Sequence, residues 1–332
     1  MKKLLFLSVV YIGIGISGIF AQDAIFTQFY TTPIQLNPAF AGNTVAPRVG
    51  VNYRDQWHNI SNAYNTFTAS YDQYIEPLNS GFGFTLSADK AGDGIYRKNN
   101  AAVSYAYRLR TRSGTNFKIG VEAGVGQISL DWDKLVFLDM IDPINGQTGA
   151  LTSKEIRPEN LSSNYFDASA GFLVYNKHWY GGLSFKHLNS PNQNILSDKL
   201  SLSAGLPILY SLQAGYEIVL SESNKKRVRS FITPNLLIAR QGPFSQINIG
   251  AQAGMGAIFG GVGFRHTFRN SDAVLLNVGV KKGITKICYS HDITVNGLPG
   301  SFGAHEVSVV LNFDDLTDHS KVNYSDCFNF MR

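Results

Sequence analysis

The sequence predicts an all-β fold: a transmembrane antiparallel β-barrel of about fourteen strands. Three observations carry this. First, apolar and small-or-polar residues alternate through most of the chain, as side chains do on a strand. In 246–257, Ile247, Ile249, Ala251, Ala253, Met255 and Ala257 point one way, and Asn248, Gly250, Gln252, Gly254 and Gly256 the other. Second, the polar face is rich in Gly, Ser, Thr, Asn and Gln rather than charge, as suits a wet or plugged lumen with the greasy face turned to lipid. Third, charged residues are 16% of the 332, while Tyr and Phe number 16 and 22. Soluble domains carry roughly 25% charge, and aromatic residues gather at membrane interfaces.

The strands are expected near 47–55, 64–74, 80–89, 100–111, 116–130, 165–176, 178–188, 207–220, 228–240, 246–258, 262–269, 273–281, 284–293 and 304–314. In the third, Phe82, Phe84, Leu86 and Ala88 form the greasy set. In the fourth it is Ala101, Val103, Tyr105, Tyr107 and Leu109, with Ser104, Arg108 and Arg110 opposite. In the fifth, Phe117, Ile119, Val121, Ala123 and Val125 oppose Lys118 and Glu122. In the last, Val307, Val309, Leu311 and Phe313 alternate. Arg108, Arg110, Lys118, Glu122 and Glu217 are expected to face the lumen, because an ionisable group facing lipid is costly. Phe82, Tyr105 and Tyr216 are expected on the wall or girdle.

Even-stranded bacterial barrels place both termini in the periplasm, with short periplasmic turns and longer outer loops. The even-numbered connections, such as 112–115 and 259–261, are mostly short. The long ones, 90–99, 131–164 and 189–206, are all odd-numbered, whereas 241–245 and 270–272 are odd and short.

Met1-Lys2-Lys3 followed by the apolar stretch Leu4 to Phe20 and then Ala21 reads as a signal peptide over 1–21. The division is then an irregular N-terminal segment over 22–46, a barrel over 47–314 and a periplasmic C-terminal tail over 315–332. Loss of Lys2 and Lys3 takes the formal charge from +5 to +3, too small to indicate nucleic-acid binding. Two cysteines, Cys288 and Cys327, leave a disulfide open; it requires the tail to fold back on a strand.

Nothing in the sequence points to an active site, a cofactor or a metal. The seven His are scattered, neither Cys has ligand-spaced neighbours, and neither a G-x-S-x-G elbow nor a P-loop occurs. Gly124, Gly126, Gly254 and Gly256 recur at strand spacing, which reads as room on the lumen face or strand bending. A non-enzymatic protein is expected.

Two segments are too particular for generic wall. One is Gln28-Phe29-Tyr30, Pro33, then Leu36-Asn37-Pro38-Ala39 and Ala41-Gly42. Pro33 and Pro38 forbid a continuous helix or a central strand, which leaves an irregular segment: ordered at the periplasmic mouth or inside the lumen, or a flexible leader. The other is Gly303-Ala304-His305-Glu306, where His305 and Glu306 are expected to hydrogen-bond across the last strand.

With these segments, together with Asn52 to Trp57 and Leu183 to Leu188, the chain resembles the PorP/SprF family of outer-membrane proteins from type IX secretion and gliding systems. Ala304 replaces the expected Ser or Thr. Cys327 matches a late family Cys, with Phe328 where Pro is expected. The resemblance implies residence in the outer membrane of a Gram-negative, Bacteroidetes-like bacterium. It implies a barrel that binds, helps export or anchors a secreted adhesin through that partner's C-terminal domain. Other implied partners are type IX components, periplasmic lipoproteins or peptidoglycan-linked proteins, and membrane lipid. The docking or structural motif is then Gln28, Tyr30, Pro33, Asn37, Pro38, Gly42, Gly303, His305 and Glu306. A passive pore or small-molecule transporter is the alternative, motivated by the polar, Gly-rich inner face.

Overall fold

The computed structural model describes residues 23–44, 46–57, 59, 64–142, 146–147, 153–193, 195, 205–221, 229–268, 273–295 and 303–313. The signal peptide, the 315–332 tail and the Cys327 half of any disulfide lie outside them.

The strands are β1 (Arg48–Gln56), β2 (Tyr64–Ile75), β3 (Ser80–Ala91), β4 (Tyr96–Arg110), β5 (Asn116–Leu130), β6 (Ile141–Asp142), β7 (Gly146–Gln147), β8 (Ser162–Tyr175), β9 (Trp179–Lys186), β10 (Leu209–Tyr216), β11 (Ile218–Ser221), β12 (Ser230–Gln241), β13 (Phe244–Met255), β14 (Ile258–Thr267), β15 (Ala273–Lys282), β16 (Thr285–Thr294) and β17 (Ala304–Asn312). Each wall stave pairs antiparallel with its chain neighbour, and the pairing of β1 with β17 closes the wall. The two-residue β6 and β7 pair only with each other inside the 131–161 connection. β10 and β11 are one stave bent at Glu217, since both pair with β12. The result is a closed fourteen-strand antiparallel barrel.

The alternation holds. Phe82, Phe84, Tyr105, Val125 and Tyr216 are exposed on the outside, while Ser104, Lys118, Glu122, Gln246, Asn248 and Gln252 are buried within. Of the five expected inward charges, Arg108, Lys118, Glu122 and Glu217 are buried; Arg110, at the last position of β4, is exposed.

Two boundaries differ from the sequence reading. β3 and β4 run to a four-residue turn at 92–95, held by the pairs Lys90↔Arg97 and Ala91↔Tyr96, rather than ending at a long 90–99 loop. The residues there are polar on both sides, so the period-2 signal fades while the ladder continues. Phe259-Gly260-Gly261 is strand, not turn. The reversal falls at Gly256-Ala257, where Gly256 takes φ +63°, a conformation that glycine adopts without steric cost. Phe259 points inward into an aromatic cluster.

Candidate functional site

The lumen is filled by the chain's own residues 23–44. This takes the second of the two placements the sequence left open, inside the barrel rather than at its periplasmic mouth. The segment enters with Asp23 beside Lys98, His187 and Gln241, at the end where β3–β4, β9–β10 and β12–β13 are joined. It leaves past Asn43, whose backbone N–H donates to Asp72 near the opposite end.

Its local form follows from its sequence. Pro33 and Pro38 each open a one-turn 3-10 helix, Pro33–Gln35 and Pro38–Phe40. Proline suits that first position because its missing N–H would have no partner there. Asn37 caps the second, its side-chain oxygen accepting from Ala39 N–H at 2.9 Å. Between them the segment buries Phe26, Phe29, Tyr30, Ile34, Leu36 and Phe40, each contributing roughly 1.5–3 kcal/mol on leaving water. Tyr30 and Phe40 join Leu173, Tyr175, Tyr180 and Phe259 in one apolar cluster.

The inward wall residues hold the segment's polar groups. Glu306 accepts the backbone N–H groups of Thr27 and Gln28, each at 2.9 Å, and pairs with Arg54 at 3.1 Å. Asp292 accepts the Thr27 hydroxyl at 2.7 Å and pairs with Arg54 at 2.9 Å and Arg265 at 2.8 Å. Two carboxylates and two guanidinium groups thus balance around one threonine. Such balance is what makes buried charge tolerable. The Gln28 amide donates to Ser290 and to the Glu306 carbonyl. Further along, Lys186 donates to the Gln35 carbonyl at 2.8 Å, Ser184 to Leu36 at 2.7 Å, and Lys118 to Ala41 and Gly42. Asn37 donates to the carbonyls of Phe172 and Leu183 and to Gln213.

Glycines on the wall admit the segment at close range. A Cβ on Gly171 would lie 2.0 Å from Asn37 Oδ1, and one on Gly120 would lie 2.4 Å from Ala39 N. Gly42, at φ +61°, packs against Gly81, where a Cβ would meet the Ala41 carbonyl at 2.0 Å. Gly126 and Gly254 make room on the lumen face for the rings of Tyr165 and Phe231, and Gly124 closes on Ala102.

Every residue of the N-terminal motif, from Gln28 to Gly42, is therefore inside the barrel. The second motif divides. Gly303, at φ +70°, lies so close to Asp292 that a Cβ would sit 1.7 Å from that residue's carbonyl oxygen. Glu306 points inward to the segment. His305 points outward, where its ring stacks on His291 at 4.4 Å and its Nδ1 lies 2.6 Å from the Tyr289 hydroxyl. Both side chains meet adjacent strands, but on opposite faces. Asp292 and Arg265 escaped sequence reasoning because alternation assigns a residue's face and not its partner.

A cleft of about 100 Å³ remains between the segment and the wall on the β2–β5 side. Thr66, Thr68 and Asp89 line it, and among the described residues Thr68 Oγ1 has no hydrogen-bond partner. Among the described residues, no group of three or more His, Cys, Asp or Glu is placed to hold a metal ion.

A closed barrel with a greasy outside and a lumen filled by its own N-terminal segment defines the class: a plugged β-barrel membrane protein. Over residues 19–311 the chain matches the family model of the type IX secretion system membrane protein PorP/SprF. It belongs to that family, and it is an outer-membrane barrel of the type IX secretion system. No protein with a curated description matches it. Among solved structures, it is similar to the P. putida toluene transporter TodX at 10% identity and a TM-score of 0.46, covering 86% of this chain and 94% of that one. The corresponding values are 9%, 0.39, 81% and 70% for BamA from Haemophilus ducreyi lacking POTRA domains 1–3. For the KdgM porin they are 9%, 0.34, 80% and 99%.

Proposed function

We propose that this protein is a non-enzymatic scaffold that binds a secreted surface protein of the adhesin type, through that partner's C-terminal domain, and helps export it or anchors it at the cell surface. Type IX components, and periplasmic lipoproteins or peptidoglycan-linked proteins, are its further partners. Gliding is the process such an adhesin would serve.

The observation that carries this reading is the filled lumen. The polar inner face, which alone would suit a channel, is occupied in satisfying the backbone and side chains of residues 23–44. That arrangement favours a rigid platform over a passive pore. Family membership supplies the secretion setting. Affinity capture of the tagged full chain from native membranes tests it. Recovery of a secreted protein or of type IX components is the expected result, and repeated recovery of neither overturns it. Planar-bilayer recording separates the alternative, because a passive pore gives stable open conductance and a plugged scaffold does not.

A further inference from the structure

We infer that the outer rim of the barrel above β3–β5 and β8 binds the phosphorylated headgroup of a membrane lipid. Outward residues along these strands change in order. Leu86, Ala101, Val125 and Phe166 form one register row facing lipid; the next row toward the rim is Ala88, Asn99, Gln127 and Asn164; the one after is Lys90, Arg97, Ser129 and Ser162. Apolar contact gives way to amides and then to cations and hydroxyls. That is the sequence of environments met on passing from acyl chains to headgroups.

At the end of this gradient lies a cavity of about 280 Å³, lined by Arg97, Ser129, Asp131, Trp132 and Arg157 among others. Arg97 is held by its Nε donating to the Gly94 carbonyl at 3.2 Å, and among the described residues its two terminal nitrogens meet no partner. Arg157 gives one terminal nitrogen to Asp133 at 3.1 Å and keeps the other. Lys134, anchored on the Asp93 carbonyl at 2.8 Å, stands beside Gly94. Among the described residues that line it, Arg97 and Arg157 face the single carboxylate of Asp131. The free donors are guanidinium groups, whose forked geometry matches phosphate oxygens. Trp132, paired with Phe137 at 4.8 Å, supplies the amphipathic ring typical of headgroup depth. This end carries the long 131–161 connection, which bacterial barrels turn outward. The lipid is therefore one of the outer leaflet, whose phosphates sit on a sugar headgroup.

The test uses the full chain purified in a zwitterionic detergent, with retention of added lipid followed by native mass spectrometry and thermal unfolding. Diphosphorylated lipid A is expected to be retained and to raise the unfolding temperature. Its dephosphorylated form, and phosphatidylcholine, whose single phosphate is offset by the choline cation, are expected to do neither. Arg97→Ala with Arg157→Ala, both exposed, is expected to weaken retention by about tenfold or more. Equal retention of the dephosphorylated lipid, equal retention by the double variant, or an equal shift from inorganic phosphate alone each overturns the proposal. Should the double variant fail to insert, the comparison of the two lipid A forms on the unaltered chain decides. Neither result bears on partner capture, so this proposal and the scaffold reading stand or fall separately.

Discussion

Glu306 Oε2 accepts the backbone N–H of Thr27 at 2.9 Å, joining the last wall strand to the luminal segment across 279 residues of sequence. The same carboxylate pairs with Arg54, so one side chain ties the first wall strand, the last wall strand and the plug together.

Glu306→Ala removes that tie and leaves Arg54 short of a partner inside the barrel. Loss of one member of a buried ion pair costs about 3–5 kcal/mol. The variant should unfold at lower denaturant than the parent, and Glu306→Gln, which keeps an acceptor, should fall between them. Denaturant unfolding in detergent micelles, followed by heat-modifiable gel mobility, measures the order. An unchanged midpoint for the alanine variant refutes the anchoring role.

Gly171 and Asn37 should be energetically coupled. A methyl on Gly171 meets Asn37 Oδ1 at 2.0 Å, and overpacking of this kind costs about 1–3 kcal/mol. Asn37→Ala alone loses a helix cap, worth about 0.5–2 kcal/mol. The Gly171→Ala penalty should shrink in the Asn37→Ala background, because the clashing oxygen is gone. A double-mutant cycle that closes additively would mean the two do not touch.

Deleting residues 23–44 should open the lumen. The variant is expected to give stable ionic conductance in planar bilayers where the parent gives none. A silent deletion variant that still migrates as a folded barrel would show that something other than this segment blocks the path.

Phe84→Arg places a cation on the lipid-facing side of β3, where Phe84 is exposed. Destabilisation of about 2–4 kcal/mol is expected for a site near mid-membrane. Insertion and unfolding indistinguishable from the parent would reverse the inside–outside assignment of that strand.

Asp139 lies in the 131–161 connection, where the Lys154 N–H and the Ser153 hydroxyl each donate to it at 2.7 Å. The Lys154 bond first, and then the Ser153 bond, holds its carboxyl below the ordinary aspartate range. A depressed folded-state value contributes order that is present above the unfolded-state value and lost as pH falls through the folded one. Protection of the Lys154 amide from hydrogen exchange, after correction for intrinsic rates, should therefore persist at neutral pH and decline only below about pH 4. Asp139→Asn should lower it at neutral pH and leave it unchanged at pH values where the parent carboxyl is already protonated.

The wall was legible because alternation is a local property. Ile247, Ile249 and Ala253 declare their side without reference to anything distant, and β13 is where the pattern puts it. The ends of β3 and β4 were not legible because the outward residues there, Lys90 and Arg97, are polar like the inward ones, so the period-2 contrast is lost. Pro38 marked a break from regular structure in the sequence itself. That Asn37, just before it, sits against Gly171, 134 positions later, could not be read from either neighbourhood. Glu306 was visible as part of a motif, whereas Asp292, which performs half of the same task, had only its strand parity to mark it.

The luminal segment precedes β1 in the chain yet runs from one rim to the other, held at both by side chains from staves far apart in sequence. A sheet still open between β1 and β17, its first and last staves, can receive it sideways, whereas a finished cylinder would have to be threaded end-on. Seating of the earliest residues therefore meets the lower steric barrier before the last hairpin finds the first strand, which makes that pairing the natural final step of biogenesis.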